Sequence, residues 1–81
     1  MNYICITRTD HGFDYLDYGL WMVYHLEDKW DPGGIQMFES EQEAWEEMLM
    51  SSHKPWYSEV ITLEKLFEDY PSVAIAHVLN A

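Results

Sequence analysis

Apolar and polar positions alternate with a period of two in residues 2–8, NYICITR. Ile4 and Ile6 fall on one side, and Tyr3, Cys5 and Thr7 on the other. The β-branched and aromatic content predicts a strand. Residues 20–27, LWMVYHLE, repeat the pattern, with Leu20, Met22, Tyr24 and Leu26 opposite Trp21, Val23 and His25. Apolarity on both sides predicts a central strand. The intervening TDHGFDYLDYG is rich in Asp and Gly and reads as a loop or long hairpin tip. Pro32 and the Gly33-Gly34 pair end the second strand, and residues 35–38, IQMF, read as a short third one.

The period then changes to that of a helix. Ser40-Glu41-Gln42-Glu43 matches the capping box S-x-x-E, in which the Ser hydroxyl accepts from the N–H three residues on. Ala44, Trp45, Met48 and Leu49 recur at helical spacing and are expected to face the sheet. Pro55 stops this helix. A second is predicted from about Thr62 through LEKLFEDY, with Leu63, Leu66 and Phe67 inward. Pro71 breaks it. Residues 72–79 alternate like a strand, yet their two alanines and a Ser72 cap favour a third helix. The expected fold is α+β: a three-stranded antiparallel meander covered on one face by two or three helices, in the order β-β-β-α-α(-α).

A chain of 81 residues reads as a single domain, spanning residues 1–81. A chain this short buries little more than about 60% of its unfolded surface, so a deep substrate pocket beside the core is not expected. Fifteen acids against four basic residues give a formal net charge of −11. Direct nucleic-acid binding needs a Lys/Arg patch, and Arg8, Lys29, Lys54 and Lys65 are scattered. A basic protein partner is favoured instead. An anionic membrane surface is disfavoured, and no apolar run approaches spanning length. With Cys5 as its only cysteine the chain makes no internal disulfide, which fits a reducing cytoplasm. Opening at Met1 without a basic, apolar leader, it reads as a complete small cytoplasmic gene product.

Chemical motifs are lacking. His11, His25, His53 and His77 lie in different elements and do not make paired zinc ligands. Asp10, Asp14 and Asp17 lack the alternating oxygens and central Gly of an EF-hand loop. Cys5 sits mid-strand and reads as a small buried thiol rather than a nucleophile. There is no glycine-rich phosphate loop. No catalytic residue, metal or cofactor is expected.

The glutamates are different, because their geometry follows from the helix. Glu39, Glu43, Glu46 and Glu47 fall at i, i+4, i+7 and i+8, on the side predicted to lie opposite the apolar stripe. Like charges at this spacing cost a few tenths of a kcal/mol per pair. An ordinary solvated face intersperses Lys or Arg, and none occurs between Trp30 and His53. Aromatic residues are interleaved with acids elsewhere. Trp30 lies beside Asp28 and Asp31, and Tyr15 and Tyr18 flank Asp14 and Asp17. Such surfaces attract Arg and Lys and then hold them by stacking. The candidate partner-binding residues are Glu39, Glu43, Glu46, Glu47, Asp28 and Asp31, with Trp30 as anchor.

In length, in charge and in the stretches ESEQEAWEEM and EDKWD, the chain resembles phage-encoded inhibitors of bacterial defence, of the anti-CRISPR and anti-restriction type. The resemblance implies that these carboxylates stand in for phosphates and occupy the basic nucleic-acid groove of a defence nuclease in the host cytoplasm. The alternative is an acidic regulatory or antitoxin-like module that binds a basic cellular protein. A third reading, a small enzyme using Asp10, His11 and Asp14, ranks last. Because no ligand set for a metal is legible, a chelator should leave the melting temperature unchanged; a fall of several degrees would reveal a metal requirement.

Overall fold

A computed structural model describes residues 2–27, 35–51 and 57–80. The elements are β1 (Tyr3–Arg8), β2 (Gly12–Asp17), β3 (Leu20–His25), α1 (Glu41–Met50), β4 (Glu59–Thr62), α2 (Leu63–Asp69) and α3 (Pro71–Asn80). They form an α+β fold with one antiparallel sheet of four strands, ordered β3-β2-β1-β4.

The meander is present, but it is built from different segments than the sequence suggests. The stretch read as a loop supplies β2. Its Gly12 passes so close to β3 that a methyl group there would overlap the Tyr24 carbonyl. Residues 35–38 do not form a third strand. Only Phe38 pairs, exchanging both backbone hydrogen bonds with Tyr3 at 2.8 Å. A fourth strand, β4, adds to the other edge of β1 in the register Tyr3↔Thr62 to Ile6↔Glu59. The strand expected to be central, β3, is therefore the outer one, and Leu20, Met22 and Val23 are exposed along it.

Helices cover both faces of the sheet, not one. On the first side Ala44 and Met48 of α1 pack with Cys5, Leu16 and Phe38, flanked by Tyr3, Trp21 and Val60. On the second, Leu63 and Leu66 of α2 and Val73 of α3 pack with Ile4, Ile6, Phe13, Tyr24 and Ile35. The alternation along β1 explains the division, since odd-numbered side chains feed one core and Ile4 and Ile6 the other.

The predicted N-cap at Ser40 forms, and Thr62, at the expected start of the second helix, caps α2. Ser40 Oγ accepts from Glu43 N–H, and Thr62 Oγ1 from Lys65 N–H, each at 3.1 Å. Residues 72–79 are helical, as favoured. The helix opens at Pro71, where the missing N–H costs nothing, and not at a Ser72 cap. Tyr70 joins the last two helices. Its N–H donates to Leu66 and its carbonyl accepts from Val73 and Ala74. Its ring lies 5.1 Å from that of Phe13, and its hydroxyl donates to the Gly12 carbonyl at 3.4 Å.

The helix α1 is rotated from its expected pose. Ala44 and Met48 are buried, while Trp45 is 37% and Leu49 66% exposed. Ala44 leaves room for close approach, and the Cys5 thiol donates to its carbonyl at 3.3 Å. Ser51, just past the helix, accepts from Trp21 Nε1–H at 3.0 Å and donates to the Met48 carbonyl at 2.7 Å. These contacts centre the buried stripe on Ala44, Met48 and Ser51. Met48→Ala should therefore cost about 2–5 kcal/mol in denaturant unfolding. Leu49→Ala should stay within about 0.5 kcal/mol of the parent. Equal costs would restore the originally predicted orientation.

Candidate functional site: an acidic helix face with an apolar stripe

The outer surface of α1 carries the glutamate cluster. Glu39, Glu41, Glu43 and Glu46 are exposed, whereas Glu47 is only partly exposed, on the flank nearest the sheet. Glu47 thus does not lie opposite the core, as the spacing alone suggests. Its carboxylate is near enough to Cys5 to affect that thiol. Burial, and secondarily the Glu47 charge, push the Cys5 pKa up to about 12. Gln42 donates to Glu46 at 3.1 Å.

Met50, 79% exposed, falls among these glutamates and Leu49 beside Glu46, while Trp45, 37% exposed, lies at the far margin of the buried stripe. Helical spacing alone places Trp45 and Leu49 in the core, whereas the structure leaves both at its margin and exposed. The signal for it was the small size of Ala44. A helix lying close to a sheet buries a narrow stripe, and apolar residues at its margins remain outside.

The described lysine and arginine side chains lie on one side of the sheet. Arg8 Nε lies 2.7 Å from Glu59 and its Nη2 2.7 Å from Asp69, while Lys65 lies 3.0 Å from Asp69. The Arg8 guanidinium also sits 5.6 Å from the Tyr70 ring centre. Arg8 points to the same side of β1 as Ile4 and Ile6, so this cluster belongs to the side covered by α2. Hydrogen bonds from Lys65 and then Arg8 hold the Asp69 carboxyl below the usual carboxylate range. Among the described residues, no cation lies within ion-pair distance of the α1 glutamates. Asp28, Trp30 and Asp31, the remaining predicted contact residues, lie outside the described residues.

The rest of the surface offers little chemistry. Among the described residues no group of three or more His, Cys, Asp or Glu is placed to hold a metal. His11 and His25 approach with ring centres 6.0 Å apart, without a third ligand. The Asp10, His11 and Asp14 set is split, because Asp14 is buried within β2 while Asp10 and His11 are exposed in the preceding turn. No described helix is long and apolar enough to cross a membrane. The outer side of α3, with Ile75, Val78 and Leu79 exposed, is apolar and free of charge.

Fold and surface together define a small α+β domain with an acidic outer face on α1. Comparison with known proteins finds no matching family, no curated relative and no solved structure of significant similarity.

The Cys5 shift has a measurable consequence. Above its ordinary range the thiol ionises in the unfolded chain but stays protonated in the folded one, so the native state binds more protons. Stability then falls as pH rises from about 9 toward 12. Unfolding midpoints measured over that interval should fall more steeply for the parent than for Cys5→Ala. Parallel slopes would show that the thiol is not held neutral by the fold.

Proposed function

We propose that this chain is a protein-binding inhibitor that presents the α1 acidic face to the basic nucleic-acid site of its partner, in the manner of phage-encoded anti-CRISPR or anti-restriction proteins. The observation that carries the reading is the charge segregation. The described cations pair with Glu59 and Asp69 on one side of the sheet, and among the described residues no cation pairs with the glutamates of α1 on the other. Their field extends outward instead of being neutralised within the fold, which speeds encounter with an Arg/Lys groove. Met50 and Leu49 add exposed apolar area beside these glutamates. Asp28, Asp31 and Trp30 remain candidate contact residues from the sequence alone.

Mimicry of this kind is partial. B-DNA carries a charge about every 1.7 Å of axis, whereas α1 offers about one per 5.4 Å turn along its edge. The face competes for part of a groove and does not replace a whole duplex. No chemical step is assigned to the protein. The second reading, a regulatory or antitoxin-like module on a basic cellular protein, draws on the same face, and the uncharged outer side of α3 favours it as a further contact.

Recovery of a defence nuclease from bacterial lysate, with nucleic acid competing for the complex, supports the inhibitor; ribosomal or metabolic partners support the module. Both readings depend on the acidic face. Glu43→Lys combined with Glu46→Lys should weaken the partner complex by about tenfold or more and flatten its salt dependence. Both side chains are exposed, so the melting temperature should hold. Unchanged affinity and unchanged salt dependence would reduce α1 to a solvated surface.

A further inference from the structure

The loop between β2 and β3 has two residues, Tyr18 and Gly19, with φ of 51° and 86°. Positive φ at both positions is the signature of a type I′ hairpin turn, in which Asn or Asp ordinarily precedes Gly. A bulky side chain in the left-handed region is strained. Packing does not repay the strain here, since Tyr18 is 81% exposed. The turn is braced, because Tyr18 N–H donates to Gln36 Oε1 at 2.6 Å. An exposed aromatic residue thus stands on a braced hairpin tip at some cost to stability.

That ring borders a cleft. Tyr18, Gly19, Gln36, Glu47, Met50 and Ser51 enclose about 490 Å³ between the hairpin tip and the end of α1. Three features favour a cation there. Glu47 supplies a carboxylate in a partly desolvated position. The helix end carries a partial negative charge, and α1 has no basic residue in its last turn to offset it. Tyr18 supplies a ring face. A planar guanidinium suits this combination better than an ammonium, because it stacks on a ring while bonding a carboxylate through its edge.

We propose that this cleft is the anchor pocket for an arginine side chain of the protein partner, with Glu47 pairing the guanidinium and Tyr18 stacking on it. The proposal rests on the acidic-face reading and adds a specific contact beside it. It also accounts for Tyr18, whose ring is retained for binding at the expense of the turn.

The test is an NMR titration with a blocked Gly-Arg-Gly peptide, set against blocked Gly-Lys-Gly, in parent, Glu47→Gln and Tyr18→Asn proteins at physiological salt. The expected result is saturable shifts centred on Tyr18, Gly19, Gln36 and Ser51, stronger for arginine and reduced about tenfold or beyond detection by either substitution. Tyr18→Asn should also raise the melting temperature by a few degrees, since Asn suits the turn. Shifts spread along Glu39, Glu43 and Glu46, equal for both peptides and indifferent to the substitutions, overturn the pocket while leaving the acidic face intact. Absence of saturable shifts overturns the pocket as well, and the acidic-face reading then stands or falls with the Glu43/Glu46 reversal. A marked loss of stability in Tyr18→Asn makes the ring structural and overturns its assignment.

Discussion

Everything in this fold is arranged around β1. It is paired on one edge with β2 and on the other with β4, and Ile4, Cys5 and Ile6 are wholly buried. Because its side chains alternate, one short strand feeds two cores: Cys5 with α1, and Ile4 and Ile6 with α2 and α3. A chain of this size cannot build a thick single core. It buries its apolar residues in two thin layers instead, and β1 is the element both layers share. Loss of β1 packing would remove the support of every helix at once.

The two-sided arrangement also sets the electrostatics. With helices on opposite faces, charged groups on α1 and those around Arg8 are kept apart by the sheet. The Arg8, Lys65, Glu59 and Asp69 cluster satisfies itself where α2 meets the β1–β4 edge. Among the described residues the acids of α1 have no cationic partner, although the chain as a whole carries a net charge of −11 with the self-repulsion this brings. A surface tuned for stability alone would place cations among those glutamates. Their segregation is the physical basis for reading α1 as a contact surface.

The rotation of α1 shows how a modest geometric change alters the character of that surface. Apolar residues at 44, 45, 48 and 49 span a broad sector at about 100° per residue, and more than one pose would bury most of it. Contact of Ala44 with Cys5, and of Ser51 with Trp21, selects the pose in which Met48 is buried and Trp45 and Leu49 are not. The same rotation brings Glu47 toward Cys5 and the hairpin tip. The acidic face is therefore also partly apolar, which is the composition expected of an interface rather than of a purely solvated helix.

The sequence by itself determined the local features: β1, the Ser40 cap, the start of α2 near Thr62, the helices themselves, and the acidic character of the surface. Each depends on residues within a turn or two of one another, where periodicity and capping act. What only the tertiary structure decided was pairing and position. GFDYLD looks like a loop because Asp14 and Asp17 are poor strand formers, and it becomes β2 only through its partners on β1 and β3. EVIT is too short to signal itself, and it is a strand because β1 offers an edge. The strand β3 is apolar on both sides, as a central strand would be, and lies at the edge because β4 joins the far side of β1. The candidate site divides in the same way. Its charges are written in the sequence, but the exposure of Trp45, the flank position of Glu47 and the cleft beside Tyr18 follow from long-range packing, which no local pattern encodes.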